Sequence, residues 1–302
     1  MRLVDRYDAI VCDLDGVVYR GEPAVPHAVE ALAAVGVPIQ FATNNASRPP
    51  HQVAEHLRRL GLDVSDDSVA TSSQAAAWVL TRHLEPGAVV LAIGGEGVAL
   101  ALRESGFVPV SSAQDVPAAV VQGYGPEVNA TDLAQVAYAV QRGALWMATN
   151  TDHTLPTAWG YAPGNGALVL AVGAAVGRGP DLVAGKPDEP LYLMCAERLG
   201  VAPHRVLAIG DRLETDIEGA QNAGMDSLLV LTGVHGVRDA LAASPEARPT
   251  WIARDLRALV ADIEELVSAA EELRKAWDRR DQGLGDAGVT SVLAPELAAL
   301  GG

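Results

Sequence analysis

The sequence predicts an α/β protein: an open parallel sheet with helices on both faces, interrupted by a second α/β segment. Three observations predict it. Strand-like and helix-like runs alternate through residues 6–70, the alternation resumes through 183–255, and residues 71–182 between them carry an alternation of their own. A helix after each strand returns the chain across one face of the sheet, so successive strands pair in parallel.

The elements follow in order. Ala9–Cys12, apolar and β-branched with polar flanks, predicts a buried strand over 8–13. A helix near His27–Val35, a strand near Pro38–Thr43 and a helix near Pro50–Leu60 complete the first stretch. The inserted segment reads as an Ala-rich helix Ser72–His83, a strand Ala88–Ile93, a helix Val98–Ser105 and a strand Ala118–Gln122. A helix Thr131–Gln141, a strand Leu145–Thr149 and a helix Asn165–Val176 follow. The core then resumes with helix Leu191–Leu199, strand Val206–Gly210, helix Ile217–Ala223 and strand Ser227–Leu231. This layout predicts a discontinuous core, 1–70 with 183–260, an inserted α/β domain, 71–182, and a C-terminal region, 261–302. That last region begins as an amphipathic charged helix near Ala261–Arg279 and runs into Gly- and Ala-rich sequence that reads as poorly ordered.

A chain of 302 residues has material for about two domains. Hydrophobic residues make up 49% of it, yet no apolar run approaches the ~18–20 residues of a membrane span. The start, MRLVDRYD, has no apolar stretch before a cleavage site, so no signal peptide is expected. Cys12 and Cys195 make no disulfide framework and read as small buried hydrophobes, which fits a reducing cytoplasm. The net charge of −16 argues against nucleic acid or an anionic membrane as partner.

The chemistry begins at AIVCDLDGVVYRG, residues 9–21, where a buried strand empties into Asp13-Leu14-Asp15-Gly16. Two carboxylates one residue apart at a strand end repel each other and lose hydration. A divalent cation and a phosphate ligand would offset that cost, whereas the tetrapeptide alone reads equally well as a loop Asp pair beside a turn glycine. Three further stretches bear on the choice: Phe41-Ala42-Thr43-Asn44-Asn45, Ala184-Gly185-Lys186-Pro187, and Val206 through Gly210-Asp211-Arg212-Leu213-Glu214-Thr215-Asp216. The first and last of these follow apolar runs and end in polar residues, as ligand-binding strand ends do in open α/β sheets. Two carboxylate clusters, a hydroxyl–amide pair and a lysine form a chemically complete set for cleaving a phosphate ester.

In order and spacing these four stretches resemble the four signature motifs of the haloacid dehalogenase superfamily. The similarity is to its phosphatases with a large cap between the second and third motifs, the 4-nitrophenylphosphatase type. That branch includes phosphoglycolate, glycerol-phosphate, pyridoxal-phosphate and nucleotide monophosphatases. The resemblance covers roughly residues 6–255 and implies a Rossmann-like core with an inserted α/β cap.

By that resemblance Asp13 is the nucleophile that forms an aspartyl phosphate, and Asp15 is the general acid and base. The resemblance also makes the backbone carbonyl of Asp15 a metal ligand beside Asp13. Thr43 and Asn44 would hold the transferring phosphoryl group, and Lys186 would offset charge on nucleophile and phosphate. Asp211 would be the acidic ligand of the fourth motif, with Asp216 acting behind it. Oxygen donors and open water positions favour Mg2+, and the seven histidines show no zinc spacing.

The cap stretches Thr149-Asn150-Thr151-Asp152 and Pro163-Gly164-Asn165-Gly166-Ala167 resemble parts of the same family. Substrate-selecting candidates are Asn45, Asn150, Asp152, Asn165 and Arg212, although Asn45 reads also as a loop tie, Arg212 as loop-structuring and Asn165 as a helix N-cap. Relatives often carry an acidic residue where this chain has Gly125. Gly94-Gly95-Glu96-Gly97 reads as a turn, since it lacks the full dinucleotide fingerprint. His153 and His235 read as loop residues, and Trp146 and Trp159 as packing within the cap.

The expectation is therefore a Mg2+-dependent phosphomonoesterase acting on a small metabolite. Glycerol 3-phosphate or phosphoglycolate comes first, with pyridoxal phosphate, sugar phosphates and nucleoside monophosphates as alternatives. Caps of this kind often mediate homodimers, which makes a homodimer through the cap a further expectation. A receiver domain would place its acceptor Asp on a later strand in a much shorter unit. A catalytically silent phosphometabolite-binding protein would normally lack one of the carboxylates, and all are present.

Overall fold

In the computed structural model, residues 1–157 and 159–282 are described. The fold class is the expected one, with thirteen strands and ten α-helices among those residues. Contacts divide the chain into two units. One comprises Met1–Phe41, Leu57–Val64 and the chain from Cys195, and the other comprises Ala42–His56 and Ser65–Met194.

The first unit is built on parallel strands. β1 (Ala9–Cys12) is wholly buried and lies between β2 (Ile39–Thr43) and β11 (Val206–Gly210). β12 (Asp226–Val230) and β13 (Trp251–Ala253) extend the sheet, whose full order is β13-β12-β11-β1-β2-β3. The last residues of β2, Ala42 and Thr43, count with the second unit, as does β3 (Val69–Thr71). The helices here are α1 (Ala28–Ala33), α8 (Glu218–Asn222), α9 (Val237–Ala242) and α10 (Glu264–Asp281). Ala269, Leu273 and Trp277 of α10 join Leu229, Ala240 and Ile252 in one apolar cluster, so the C-terminal helix belongs to this core. The Gly- and Ala-rich sequence beyond residue 282 lies outside the described residues.

The second unit has its own parallel sheet, ordered β10-β7-β6-β4-β5. Its strands are β4 (Val89–Ile93), β5 (Val108–Val110), β6 (Ala119–Gln122), β7 (Leu145–Ala148) and β10 (Leu182–Val183). α3 (Ser72–Leu80) starts from a reciprocal cap between Thr71 and Gln74, and α5 (Ala130–Gln141) from Asn129 with Asp132. α4 (Glu96–Glu104) and α6 (Asn165–Val176) complete the set, with Val136, Val140, Trp146, Val169 and Val172 in a common core.

α2 (Pro50–Arg59) and α7 (Pro190–Leu199) each straddle the division. An antiparallel pair, β8 (Thr154–Thr157) with β9 (Gly160–Pro163), stands apart from both sheets. Cys12 and Cys195 are both free and buried. Among the described residues no helix is long and apolar enough to cross a membrane.

Candidate active site

β1 ends at Cys12, and Asp13 and Asp15 lie in the loop directly after it, with the fully buried Leu14 between them. The Leu14 carbonyl accepts bonds from the amides of Val17, Val18 and Tyr19, which closes a tight turn directly behind the pair. Asp13 is half-buried and its amide bonds to the Ile209 carbonyl of β11; Asp15 is exposed.

The end of β11 supplies the other carboxylates. Asp211 and Asp216 are both buried, although they stand five positions apart. A single π-type turn, Leu213–Ile217, brings Asp216 back so that its Oδ2 accepts the Arg212 amide at 3.1 Å. Asp13, Asp211 and Asp216 thereby each offer an oxygen within 4.8 Å of the others. This oxygen-only donor set fits a hard divalent cation.

A further segment, Thr232–His235, braces this end and carries no motif that reveals it in the sequence. Thr232 Oγ1 donates to the Gly16 carbonyl at 2.7 Å, and the Val234 amide donates to Asp211 Oδ2 at 2.7 Å. The His235 amide reaches the Asp211 carbonyl, and its Nδ1 accepts the Leu213 amide at 3.0 Å. Nε2 then faces Glu214 at 3.3 Å, so His235 is a structured part of this loop cluster. Gly233 is required here: a Cβ on it would stand 1.8 Å from Asp211 Oδ2. Gly16, at φ +84°, turns the Asp15 loop in a conformation that disfavours a side chain, and it too leaves room for Asp211.

The remaining candidates, Arg212 apart, belong to the second unit. Thr43 ends β2, buried, and its Oγ1 accepts the Asn45 amide at 3.1 Å. Asn45 Oδ1 accepts from both the amide and hydroxyl of Ser47, which ties the loop. Asn44 clasps the peptide of Lys186 from both sides: Oδ1 accepts its amide at 2.8 Å and Nδ2 donates to its carbonyl at 3.0 Å. The same Nδ2 lies 3.3 Å from both carboxylate oxygens of Asp152. Lys186 is 2% exposed, and its Nζ reaches the Ala42 carbonyl at 3.4 Å. Asn150 and Asn165 are buried nearby, and Arg212 is half-buried in the first unit.

Two readings from the sequence need correction. Asn165 does not cap its helix: Gly164 holds the cap position, and Asn165, the first helical residue, sends its amide to the carbonyls of Gln122 and Asn150. Trp146 is buried as expected, but Trp159 is 99% exposed. It falls between the paired strands β8 and β9, where no apolar core is in reach. Of the Gly94–Gly97 run, Gly94 and Gly95 form a bend, while Glu96 and Gly97 open helix α4, and the Gly97 amide bonds to the Ser47 carbonyl.

Comparison with known proteins identifies the family. A family model for haloacid dehalogenase-like hydrolases matches residues 10–108, and a second model for hydrolases of the same kind matches 183–259. The chain is 44% identical over 269 residues to a D-glycerol 3-phosphate phosphatase of Mycobacterium tuberculosis, covering 89% of this chain and 75% of that one. It is 34% identical over 263 residues to an acid sugar phosphatase of Staphylococcus aureus, covering 86% and 99%. Among solved structures, the M. tuberculosis glycerol phosphate phosphatase in complex with magnesium superposes with a TM-score of 0.84 at 44% identity, covering 88% of this chain and 80% of that one. A 4-nitrophenylphosphatase from Thermotoga maritima gives 0.80 at 28% identity, covering 87% and 100%. This chain belongs to the haloacid dehalogenase-like hydrolases.

Proposed function

We propose that this chain is a Mg2+-dependent phosphomonoesterase that hydrolyses glycerol 3-phosphate through an aspartyl phosphate on Asp13. The observation that carries this is the trio Asp13, Asp211 and Asp216, three carboxylates drawn together at strand ends. Their mutual repulsion is costly unless a cation sits among them. Asp13, Asp211 and the backbone carbonyl of Asp15 hold the ion, with Asp216 behind them. Bound there, Mg2+ supplies charge neutralisation for the phosphate oxygens and the attacking carboxylate.

Asp13 attacks phosphorus in line, and the bond from phosphorus to the ester oxygen breaks. Asp15 gives its proton to the departing alkoxide. It then takes a proton from a water that attacks the phosphoryl group, so the bond to Asp13 breaks and inorganic phosphate leaves. The Thr43 hydroxyl and a backbone amide at Asn44 hold the phosphoryl oxygens, and Lys186 offsets their charge. Identity of 44% to a D-glycerol 3-phosphate phosphatase supports the substrate, with phosphoglycolate and sugar phosphates next.

Residues 1–70 with 183–260 form the catalytic core, and 71–182 the cap that selects substrate and pairs two copies. The enzyme works in the cytoplasm on small metabolites. With a net charge of −16, it attracts neither nucleic acid nor anionic membrane, and the bound cation and Lys186 supply the local attraction for phosphate.

The test is phosphate release from glycerol 3-phosphate, phosphoglycolate, pyridoxal phosphate, AMP and 4-nitrophenyl phosphate, with Mg2+ and with EDTA. Release that prefers glycerol 3-phosphate, stops with EDTA and returns with Mg2+ is expected. Release indifferent to chelation contradicts the metal, and a strong preference for another ester contradicts the substrate.

A further inference from the structure

Four amide-bearing stretches far apart in sequence meet in the second unit. Asn165 Nδ2 donates to the Asn150 carbonyl at 2.7 Å and to the Gln122 carbonyl at 3.2 Å. Asn150 Nδ2 donates in turn to the Asn44 carbonyl at 2.7 Å, while its Oδ1 accepts the Asp152 amide at 3.2 Å. Ser72 Oγ donates to the same Asn44 carbonyl at 2.6 Å. Asn44 then holds both polar groups of the Lys186 peptide. The neighbouring Gly185 packs so closely that a Cβ would stand 2.6 Å from both Asn44 Oδ1 and the Thr149 carbonyl. A continuous relay therefore runs from the start of α6, through the 149–152 loop and Asn44, to Lys186.

We infer that Asn150 and Asn165 are positioning residues for Lys186 and do not contact substrate. This rests on the role proposed above for Lys186. A carboxamide carries two donor hydrogens, and those of Asn165 go to two main-chain carbonyls. The donors of Asn150 go to Asn44 and, at 3.5 Å, to Thr149 Oγ1. Both residues are at most 4% exposed, which leaves them no surface to offer a ligand. The choice of asparagine follows from charge. Aspartate has no donor for a carbonyl, whereas lysine or arginine would bury a second cation beside Lys186. An amide fixes the loop while leaving the local charge to Lys186.

Lys186 acts on groups common to every phosphomonoester, so a residue acting through it affects all leaving groups alike. A residue that touched the leaving group would change the ranking of substrates instead. The experiment measures kcat and KM on glycerol 3-phosphate, phosphoglycolate and 4-nitrophenyl phosphate, well below the melting temperature. Variants are Asn150→Ala, Asn165→Ala, Lys186→Ala and the two doubles with Lys186→Ala. We expect each asparagine single to lose about 10- to 100-fold in kcat on all three esters, with their order unchanged. In the Lys186→Ala background the further loss should be under about threefold, because the coupled partner is gone.

A changed order of substrates would overturn the inference, as would full additivity in the doubles. If Lys186→Ala collapses while both asparagine singles keep wild-type kcat, the inference fails alone. If Lys186→Ala itself turns over normally, the role of Lys186 fails and takes the inference with it. Should an alanine variant not fold, Asn150→Ser, small and polar but unable to span to Asn44, carries the same comparison.

Discussion

The carboxylate end of β1 and β11 and the amide relay around Lys186 solve opposite problems. The first gathers three carboxylates whose oxygens lie within 4.8 Å of one another, a concentration of like charge that a cation would relieve. Its supports are clearances and braces: the turn behind Asp13, the missing side chain at Gly233, and amides aimed at Asp211. The second joins buried carboxamides to main-chain carbonyls and to the Lys186 backbone through hydrogen bonds made within the protein. The difference teaches where each region is vulnerable. The charged end should respond to metal and to any intrusion on its space, whereas the relay should respond only to loss of a donor.

The largest effect that would sharpen this contrast is at the nucleophile. Asp13→Asn should lower turnover on the order of a thousandfold or more while leaving the melting temperature near that of the wild type. Normal turnover in that variant would end the covalent mechanism. Gly233→Ala comes next, because its methyl group must displace the Asp211 carboxylate. Mg2+ affinity, read by calorimetric titration, should fall about 10- to 100-fold, and an unchanged affinity would remove Asp211 from the metal site. Asn150→Ala, by contrast, should leave that titration as it is.

Thr232→Val keeps the shape but loses the bond to the Gly16 carbonyl. Denaturant unfolding should show a loss of about 1 kcal/mol, together with a modest fall in turnover. An undiminished stability would mean that the 232–235 brace is incidental. The smallest effect belongs outside both regions. Trp159→Ala, at a side chain 99% exposed, should change stability by less than about 0.5 kcal/mol. Turnover should stay the same, and a clear loss of it would bring the β8–β9 hairpin into the substrate's path.

What could be read from the sequence tracks the same contrast. Asp13-Leu14-Asp15 announces itself because two carboxylates follow directly on an apolar, β-branched run that forms a strand. Asp211 and Asp216 share a short loop, so one turn unites them. Asn44, Asn150, Asn165 and Lys186 lie on four separate stretches, and only the fold makes them neighbours. Nothing local in Asn165 tells a helix cap from a donor to a distant carbonyl. Thr232–His235 is hidden for a related reason: most of its work is done by two backbone amides, a hydroxyl and an absent side chain, with one imidazole acceptor that forms no motif. Among the elements, β3, β5 and β10 span only two or three residues, too few for a period to show. Pro156 and Pro163 argue against strands where β8 and β9 form, a placement tolerated because the pair stands outside both sheets.

The most direct test of the central claim is to look for the phosphoryl group on Asp13. The Asp15→Asn variant, mixed with 4-nitrophenyl phosphate and Mg2+, should be quenched in acid and its peptides analysed by mass spectrometry. Nitrophenolate leaves without a proton, so the first step proceeds while the water that completes the second lacks its base. A phosphoryl group on the peptide containing residues 9–21, absent when Asp13 is also replaced by Asn, is the predicted result. Steady turnover with that peptide never modified would contradict it.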